Sequence, residues 1–221
     1  ANRALECQLW GGTIGLMETM AVRETGLRAR ARRAIQTELV DVAMDLFLRD
    51  GFEETTVADI VEAAGISRRS FFRYFGSKEE VVLSHVDELG EDVAAQLQVR
   101  PREEDAWTAL RHAVAVPLLQ ADLDPSRALA MMRMLEGTVT LKARSLERQV
   151  QWQNRLIPHV AARLGPMPGG AGGPDVGPAA LVGSALACLG AARDAWMASN
   201  GTLSLTGLLD EAMRAVRPGA F

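Results

Sequence analysis

Apolar residues recur at helical spacing along most of the chain, and short polar or glycine-rich stretches separate the patterns. The first pattern predicts a helix from about residue 31 to residue 50. Its apolar face is formed by Ile35, Leu39, Val42, Leu46 and Phe47. Gly51 ends this helix, since glycine adopts the left-handed backbone of a helix terminus without steric cost. The later patterns are helical as well, so the predicted fold class is all-α.

Two short predicted helices separated by a glycine follow the first helix. Thr56 is a good N-cap for the first of them, and Gly65 ends it. Ser67 caps the second, on which Phe71 faces the preceding helix. Two amphipathic helices joined this tightly form either an ordinary helical hairpin with a solvated arginine rim or a helix-turn-helix unit that binds DNA.

The charge on the second short helix favours the DNA-binding alternative. From Ser67 to Lys78 the chain carries four cations and no acid. The side chains expected to point outward are Arg68, Arg69, Ser70, Phe72 and Arg73. In the major groove, arginine pairs bidentately with guanine, while lysine and hydroxyl groups contact phosphates. This helix is therefore suited to enter the major groove.

Several short motifs in this region occur in a fixed order. They are Gly51-Phe52, Thr55-Thr56-Val57, Ile60, Ala63-Ala64-Gly65-Ile66-Ser67, Phe71-Phe72-Arg73-Tyr74-Phe75 and Ser77-Lys78-Glu79. Over about residues 34–83 the chain thus resembles the DNA-binding domain of TetR-family transcriptional regulators. In that family the second aromatic residue of the recognition helix is usually a tyrosine whose hydroxyl contacts a phosphate. Here it is Phe72, so that contact is lost or passed to Tyr74, and Phe72 offers only apolar contact, for example to a thymine methyl.

Pattern, charge and resemblance together give a set of candidate DNA-binding residues. They are Arg33, Thr56, Ser67, Arg68, Arg69, Ser70, Phe72, Arg73, Tyr74 and Lys78. Lys78 is included because the next helix begins beside the recognition helix, where cations and free amide groups are natural phosphate ligands. Arg33 ends a basic arm, residues 23–33, and such arms track the DNA backbone or enter the minor groove. For any single arginine of the arm, a solvated helix end is the alternative.

The overall charge alone does not indicate a nucleic-acid binder. The 221 residues include 24 Lys+Arg and 28 Asp+Glu, with a net charge of −4 and a pI near 5.5, so the arm and the recognition helix are basic patches on an acidic body. Cys7 and Cys188 form no disulfide framework, and His85, His112 and His159 have no metal-ligand spacing. We therefore expect no enzyme activity, no metal and no cofactor. The lack of a disulfide framework fits a reducing cytoplasm as the predicted location, and no apolar run approaches the ~20 residues of a membrane span, so no membrane partner is expected.

The remaining chain predicts a series of longer helices. Ser77 and Glu80 form a capping box that starts a long helix, and Pro101 marks its end. Pro117 and Pro158 are expected to bend two of the later helices. Those helices are predicted at about 103–120, from 124, 138–164, 178–199 and 202–217, which makes about nine in all, with a glycine- and proline-rich loop at 165–177.

The last two predicted helices combine small residues with a clean apolar stripe. The family resemblance implies that they form a four-helix interface with a twin subunit. Within them, Leu209 and Ala192 are the positions where a charged residue is expected to break the dimer. The alternative is that both helices are buried within one subunit.

Large, adaptable apolar side chains in the middle helices form a candidate ligand pocket. They are Trp107, Leu118, Met131, Met132, Leu135 and Trp152. Plain core packing is the alternative for each of them. Residues 128–164 are also similar to the C-terminal domain of the actinobacterial branch related to mycofactocin-system regulators, a resemblance that implies acyl-CoA ligands without identifying one.

We interpret the chain as a flexible extension at 1–22, a helix-turn-helix domain at 23–78 and a helical effector-binding and dimerisation domain at 79–221. Met20 is a plausible alternative start of the functional chain. The predicted function is that of a dimeric repressor, released from a near-palindromic operator on double-stranded DNA by a small, mostly apolar effector. Rival interpretations are a helical carrier or enzyme that has lost DNA binding, and a DNA-binding protein without a ligand.

Overall fold

The computed structural model describes residues 30–165 and 176–219, so the predicted extension at 1–22, the start of the basic arm and most of the predicted loop at 165–177 lie outside the described residues. The described residues form helices and turns, with no strand among them, which confirms the all-α prediction. Within these ranges the helices are α1 (30–50), α2 (Val57–Ala63), α3 (Arg68–Tyr74), α4 (Lys78–Val99), α5 (Ala106–Leu123), α6 (Pro125–Gly137), α7 (Val139–Leu164), α8 (Gly177–Ala198) and α9 (Leu205–Val216).

Side-chain caps fix the starts of the helices around the predicted helix-turn-helix. Thr56 and Asp59 form a reciprocal capping box at α2, and hydrogen bonds from Thr56 lower the pKa of the Asp59 carboxyl. Ser67 accepts a hydrogen bond from the Ser70 amide at 3.1 Å and so caps α3. Gly65, with a φ of +64°, provides the left-handed turn between the two helices.

The capping box predicted at the start of α4 is only half formed. Ser77 Oγ accepts from the Glu80 amide at 3.3 Å, as predicted. The Glu80 carboxylate pairs instead with Arg144 and Arg148 of α7. Two cations on a neighbouring helix are stronger partners for a carboxylate than one backbone amide, so the side chain turns towards α7.

One hydrophobic cluster joins α1, α2 and α3 to the start of α4. Phe71 is fully buried in it, and Leu141 of α7 belongs to the same cluster. Met131 and Leu135 of α6 pack against it. The helix-turn-helix unit is therefore fastened to the remaining helices through α6 and α7 as well as through α4. The domain boundaries at residues 22 and 78 stay predictions.

A second cluster fills the space between α4, α5, α7, α8 and α9. Trp107, Trp196 and Leu209 are fully buried in this cluster. The indole Nε1 of Trp196 donates to the carbonyl oxygen of Leu203 at 2.9 Å. Ser204 is the N-cap of α9, and Asp122 of α5 also accepts from the Leu205 amide at 2.7 Å.

Helices α4 and α7 are joined by charged contacts along their whole shared length. Arg148 lies 3.1 Å from Asp87. Burial raises the pKa of the Asp87 carboxyl above its usual value, and the positive charge of Arg148 offsets only part of that rise. At the other end of α4, Arg163 satisfies carbonyl groups that the helix terminus leaves open. Its acceptors are the carbonyl oxygens of Leu97 at 2.7 Å, Arg100 at 2.9 Å and Pro101 at 2.7 Å. These contacts hold α7 against α4 near both ends of α4.

Prolines lie inside two of the described helices, and the bends expected at these prolines stay predictions. Pro117 lies inside α5 and Pro158 inside α7, and both helices continue beyond the proline. Among the helices that the structure describes, none is both long and apolar enough to span a membrane.

Candidate DNA-binding surface and effector region

Helix α3 buries one aromatic face and exposes a basic one. Phe71 is fully buried against α2, whereas Arg68, Arg69 and Arg73 are exposed. Phe72 is 51% exposed and meets Phe71 edge-on, with ring centroids 5.4 Å apart. The outward direction predicted for these side chains is therefore what the structure shows.

The end of α3 lies beside a second arginine-bearing segment, the start of α1. The Tyr74 hydroxyl accepts from Arg73 Nη2 at 3.2 Å. The guanidinium carbons of Arg32 and Arg73 lie 5.8 Å and 5.0 Å from the centre of the Tyr74 ring. Arg32 thus joins the basic surface, whereas the DNA-binding residue predicted from the sequence is its neighbour Arg33. Adjacent helical residues point about 100° apart, and only the packing of α1 decides which of the two faces α3.

Arg33 points towards an acidic cleft. It lines a cleft of about 180 Å³ between α1 and α4, together with Asp87, Glu88 and Glu91. Its charge lowers the pKa of Glu88, against a larger rise caused by burial of that carboxyl. The structure therefore separates Arg33 from the exposed side of α3 on which the other candidate arginines lie.

Lys78 and Thr56 have structural partners. Lys78 Nζ donates to three backbone carbonyl oxygens in the turn after α1, and it also lies 4.5 Å from the centre of the Phe52 ring. Those oxygens belong to Phe52 at 2.6 Å, Glu53 at 3.1 Å and Thr55 at 3.0 Å. An ammonium group has three donors, so this geometry occupies all of them, and the phosphate contact of Lys78 stays a prediction. Thr56 remains exposed, with its hydroxyl engaged by Asp59.

The predicted ligand-pocket residues divide between the two clusters. Trp107 and Leu118 belong to the cluster between α4, α5, α7, α8 and α9, and Met132 and Trp152 pack against it. Met131 and Leu135 instead pack on the helix-turn-helix cluster. The reason is that neighbouring residues of α6 point to different sides of this helix, which lies between the clusters. The six side chains therefore pack on two different clusters, and their role in ligand binding stays a prediction.

Gly90 is a feature of this region that the sequence analysis did not select. A Cβ atom at this position would lie 2.2 Å from Trp152 Nε1, so only glycine lets the indole rest on the backbone of α4. The sequence does contain a signal for such a close contact, because Gly90 lies inside the helical pattern that runs from Val81 to Leu97. A second surface cleft, of about 320 Å³, lies outside this contact and is lined by polar groups such as Arg155 and His159.

Comparison with known proteins shows to which family of proteins the chain belongs. Residues 39–84 match the family model for bacterial regulatory proteins of the tetR family, and residues 104–220 match the model for the MftR C-terminal domain. The chain therefore belongs to the TetR family of transcriptional regulators, and it is a DNA-binding regulator. Both resemblances identified from the sequence are confirmed.

Individual relatives agree with this assignment. The chain is 37% identical over 158 residues to the transcriptional regulator TcmR of Streptomyces glaucescens, an alignment that covers 67% of this chain and 70% of TcmR. It is 30% identical over 143 residues to a Mycobacterium tuberculosis protein named as a candidate mycofactocin biosynthesis regulator, MftR, which covers 62% of this chain and 69% of that protein.

Among solved structures, the repressor FadR of Thermus thermophilus in complex with lauroyl-CoA is similar with a TM-score of 0.53 and 25% identity, covering 84% of this chain and 95% of FadR.

Proposed function

We propose that this protein is a homodimeric cytoplasmic repressor that places α3 of each subunit in the major groove of a near-palindromic operator, and that a small, mostly apolar effector releases it. The observation that carries the DNA-binding part is the basic, outward face of α3 opposite the buried Phe71. A selection of bound sequences from random DNA, followed by gel shifts across a range of salt concentrations, tests it.

Arg68 and Arg69 are the proposed base-reading residues. Alanine at a base-contacting one of them should weaken operator binding by about 1–3 kcal/mol and relax the preference at particular base positions. Gel shifts with single-base operator variants measure both effects. Arg102→Ala is the matched control, because this exposed arginine lies beyond the far end of α4. An unchanged base preference in both variants would move base reading to other residues.

Phe72 offers the complementary test, in which a contact is restored. Its half-exposed ring has no hydroxyl, so Phe72→Tyr should tighten operator binding by about 1 kcal/mol through a new phosphate hydrogen bond. The base preference should stay the same, because phosphate contacts carry no sequence information directly. Weaker binding, or a new base preference, would mean that the ring faces bases and not the DNA backbone.

The proposed dimer interface is the apolar outer face of α7 and α8. Leu146 and Val150 of α7 are 54% and 56% exposed, and Ala187 and Ala191 of α8 are exposed as well. Large apolar side chains exposed next to small residues are typical of a surface that another helix covers at short distance.

Antiparallel packing brings these four residues together. A Cβ atom at Gly183 would lie 3.5 Å from the Gln153 side chain, which fixes where α7 and α8 cross. Leu146 and Val150 precede Gln153 by one to two helical turns, while Ala187 and Ala191 follow Gly183 by the same distance. The two pairs therefore lie side by side.

The two residues predicted from the sequence for this interface lie in the core of the subunit and not on its surface. Leu209 and Ala192 are 0% and 2% exposed and belong to the cluster inside their own subunit. For these two positions the alternative, burial within one subunit, is the correct one. The proposed interface uses another side of α8, because Ala191 points about 100° away from Ala192.

Two helices are suited to carry the effector signal to α3. Helix α4 places Val81 and Val82 in the helix-turn-helix cluster and Val93 and Leu97 in the other cluster. Helix α6 also contacts both clusters, and its Arg127 donates to Asp45 of α1 at 2.7 Å. An effector that shifts α4 or α6 changes the distance between the two α3 helices of the dimer. Coupling of about 1–3 kcal/mol is typical, and operator DNA must then weaken effector binding by the same factor.

A further inference from the structure

Helix α7 connects the DNA-binding unit to the proposed dimer interface within its first turns. Leu141 is fully buried in the hydrophobic cluster of the helix-turn-helix unit. Arg144 and Arg148 lie on the same side of α7 as Leu141, because helical residues three, four and seven positions apart share a face. Leu146 and Val150 lie on the roughly opposite side and are exposed. One helix thus carries the proposed interface on its outer face and contacts the DNA-binding unit with its inner face.

The two arginines on the inner face of α7 form a charged clamp with α4. The Glu80 carboxylate accepts a hydrogen bond from Arg144 and lies 3.5 Å from Arg148. Arg148 also pairs with Asp87 at 3.1 Å. These four residues are the α4–α7 clamp. Their side chains are only 23% to 33% exposed, so salt and water screen these ion pairs less than pairs at the open surface.

The clamp contacts α4 at its first turn, where α4 belongs to the DNA-binding unit. Glu80 is the third residue of α4. The adjacent Val81 and Val82 are fully buried in the helix-turn-helix cluster, together with Phe71 of α3. A change in the angle between α7 and the first turn of α4 therefore moves the recognition helix relative to the proposed dimer interface.

Charged contacts define this angle more sharply than the apolar contacts beside them. Apolar contact is non-directional, so Leu141 alone would tolerate several angles between α7 and α4. Arg144 and Arg148 must instead reach carboxylate oxygens, and arginine presents its donors in a fixed planar arrangement. The pair between Arg127 of α6 and Asp45 of α1 is a second charged link to the DNA-binding unit, but its side chains are more exposed, so it contributes less.

We propose that the α4–α7 clamp fixes the distance between the two recognition helices of the dimer, so that its residues determine the operator half-site spacing without contacting DNA. This inference rests on the proposed homodimer and its near-palindromic operator, and it adds a determinant of operator specificity. Each added base pair moves a half-site by about 3.4 Å along the DNA and rotates it by about 35°. A dimer with a fixed distance therefore prefers one spacing, whereas a dimer with a loosened clamp accepts several.

Operators that differ only in the spacer between two half-sites test the proposal. Gel shifts measure the affinity for each spacer length, with half-sites taken from the selection of random DNA. The unsubstituted protein should prefer one spacing. In Glu80→Gln and in Arg148→Gln, its preference over spacings one or two base pairs shorter or longer should fall about tenfold. Arg155→Gln is the matched control, because it breaks another α4–α7 ion pair, with Glu91 at 3.5 Å, about two turns further along α7.

The spacing preference separates this positioning role from a general loss of stability. The preference is a ratio of affinities of the same protein, so an unfolded fraction lowers every affinity and cancels. The affinity for an isolated half-site should stay the same, because the sequence of α3 is unchanged. A spacing preference that stays sharp in both variants, a uniform loss of affinity at every spacing, or an equal broadening in Arg155→Gln would each overturn the proposal.

The unsubstituted protein provides the separate test of the proposed function. It should bind paired half-sites far more tightly than a single one. Equal binding of paired and single half-sites would refute the proposed dimeric repressor and the spacing role with it. Tight binding of paired half-sites, with a spacing preference that no clamp variant changes, would refute the spacing role alone.

Discussion

Ala191→Glu should convert the protein to a folded monomer and weaken operator binding by about 100-fold or more. A charge at the centre of a two-fold interface meets its own copy, so each dimer would bury two like charges. The loss in operator affinity follows because two linked recognition helices bind far more tightly than one, by factors on the order of 10²–10⁴. Light scattering and gel shifts with a full operator measure the two effects.

Because Ala191 is exposed, its substitution tests the dimer interface without disturbing the core of the subunit. Because its side chain faces solvent in the subunit, the glutamate should leave the fold of the monomer intact. Circular dichroism should therefore show unchanged helicity. Ala162→Glu is the matched control, since this alanine is also exposed but lies on another face of α7 than Val150. An Ala191→Glu protein that stays dimeric would place the interface elsewhere.

The parts of the fold that depend on neighbouring residues were predictable from the sequence. Thr56 and Ser67 cap helices because a hydroxyl reaches an amide only three residues away, and Gly65 ends α2 because the turn needs a left-handed residue. Burial of Phe71 followed in the same way from its position among the arginines of a short helix. Each of these features needs only the local spacing of residue types.

The face that a uniformly apolar helix buries could not be predicted in the same way. Helix α8 is rich in small apolar residues on all sides, so its pattern does not distinguish Ala192, which is buried, from Ala191, which is exposed. The same holds for Met131 and Met132, which lie next to each other on α6 and pack on different clusters. Those choices depend on where the neighbouring helices lie.

The hydrogen-bond partners of the Lys78 side chain could not be predicted from the local sequence. Its position at the start of α4, beside the recognition helix, is the one that a phosphate ligand would have. The side chain extends instead to carbonyl groups 23 to 26 residues earlier in the chain. No spacing rule reports an interaction over that separation, and it favours a structural role for Lys78 over the predicted DNA contact.

Lys78→Met should therefore reduce the stability of the protein more than its affinity for DNA. The substitution keeps most of the apolar stem on Phe52 but leaves three backbone oxygens without a donor, two of them partly buried. We expect a loss of about 2–4 kcal/mol in the free energy of unfolding, because unsatisfied buried groups cost about 1–3 kcal/mol each and water reaches the exposed Glu53 oxygen. Thermal and urea unfolding measure this loss.

The salt dependence of operator binding separates the structural role from a phosphate contact. A lost phosphate contact would lower the slope of log K against log salt by about one, whereas a structural lysine leaves the slope of the folded protein unchanged. Lys78→Arg sharpens the comparison, because arginine keeps the charge for a phosphate but its planar donors cannot converge on three carbonyls as an ammonium does. It should therefore also destabilise the fold.

Lys142→Met, which removes only a partly exposed ion pair with Glu136, is the control and should cost about 1 kcal/mol or less. A reduced salt slope with unchanged stability in Lys78→Met would restore the phosphate contact predicted from the sequence.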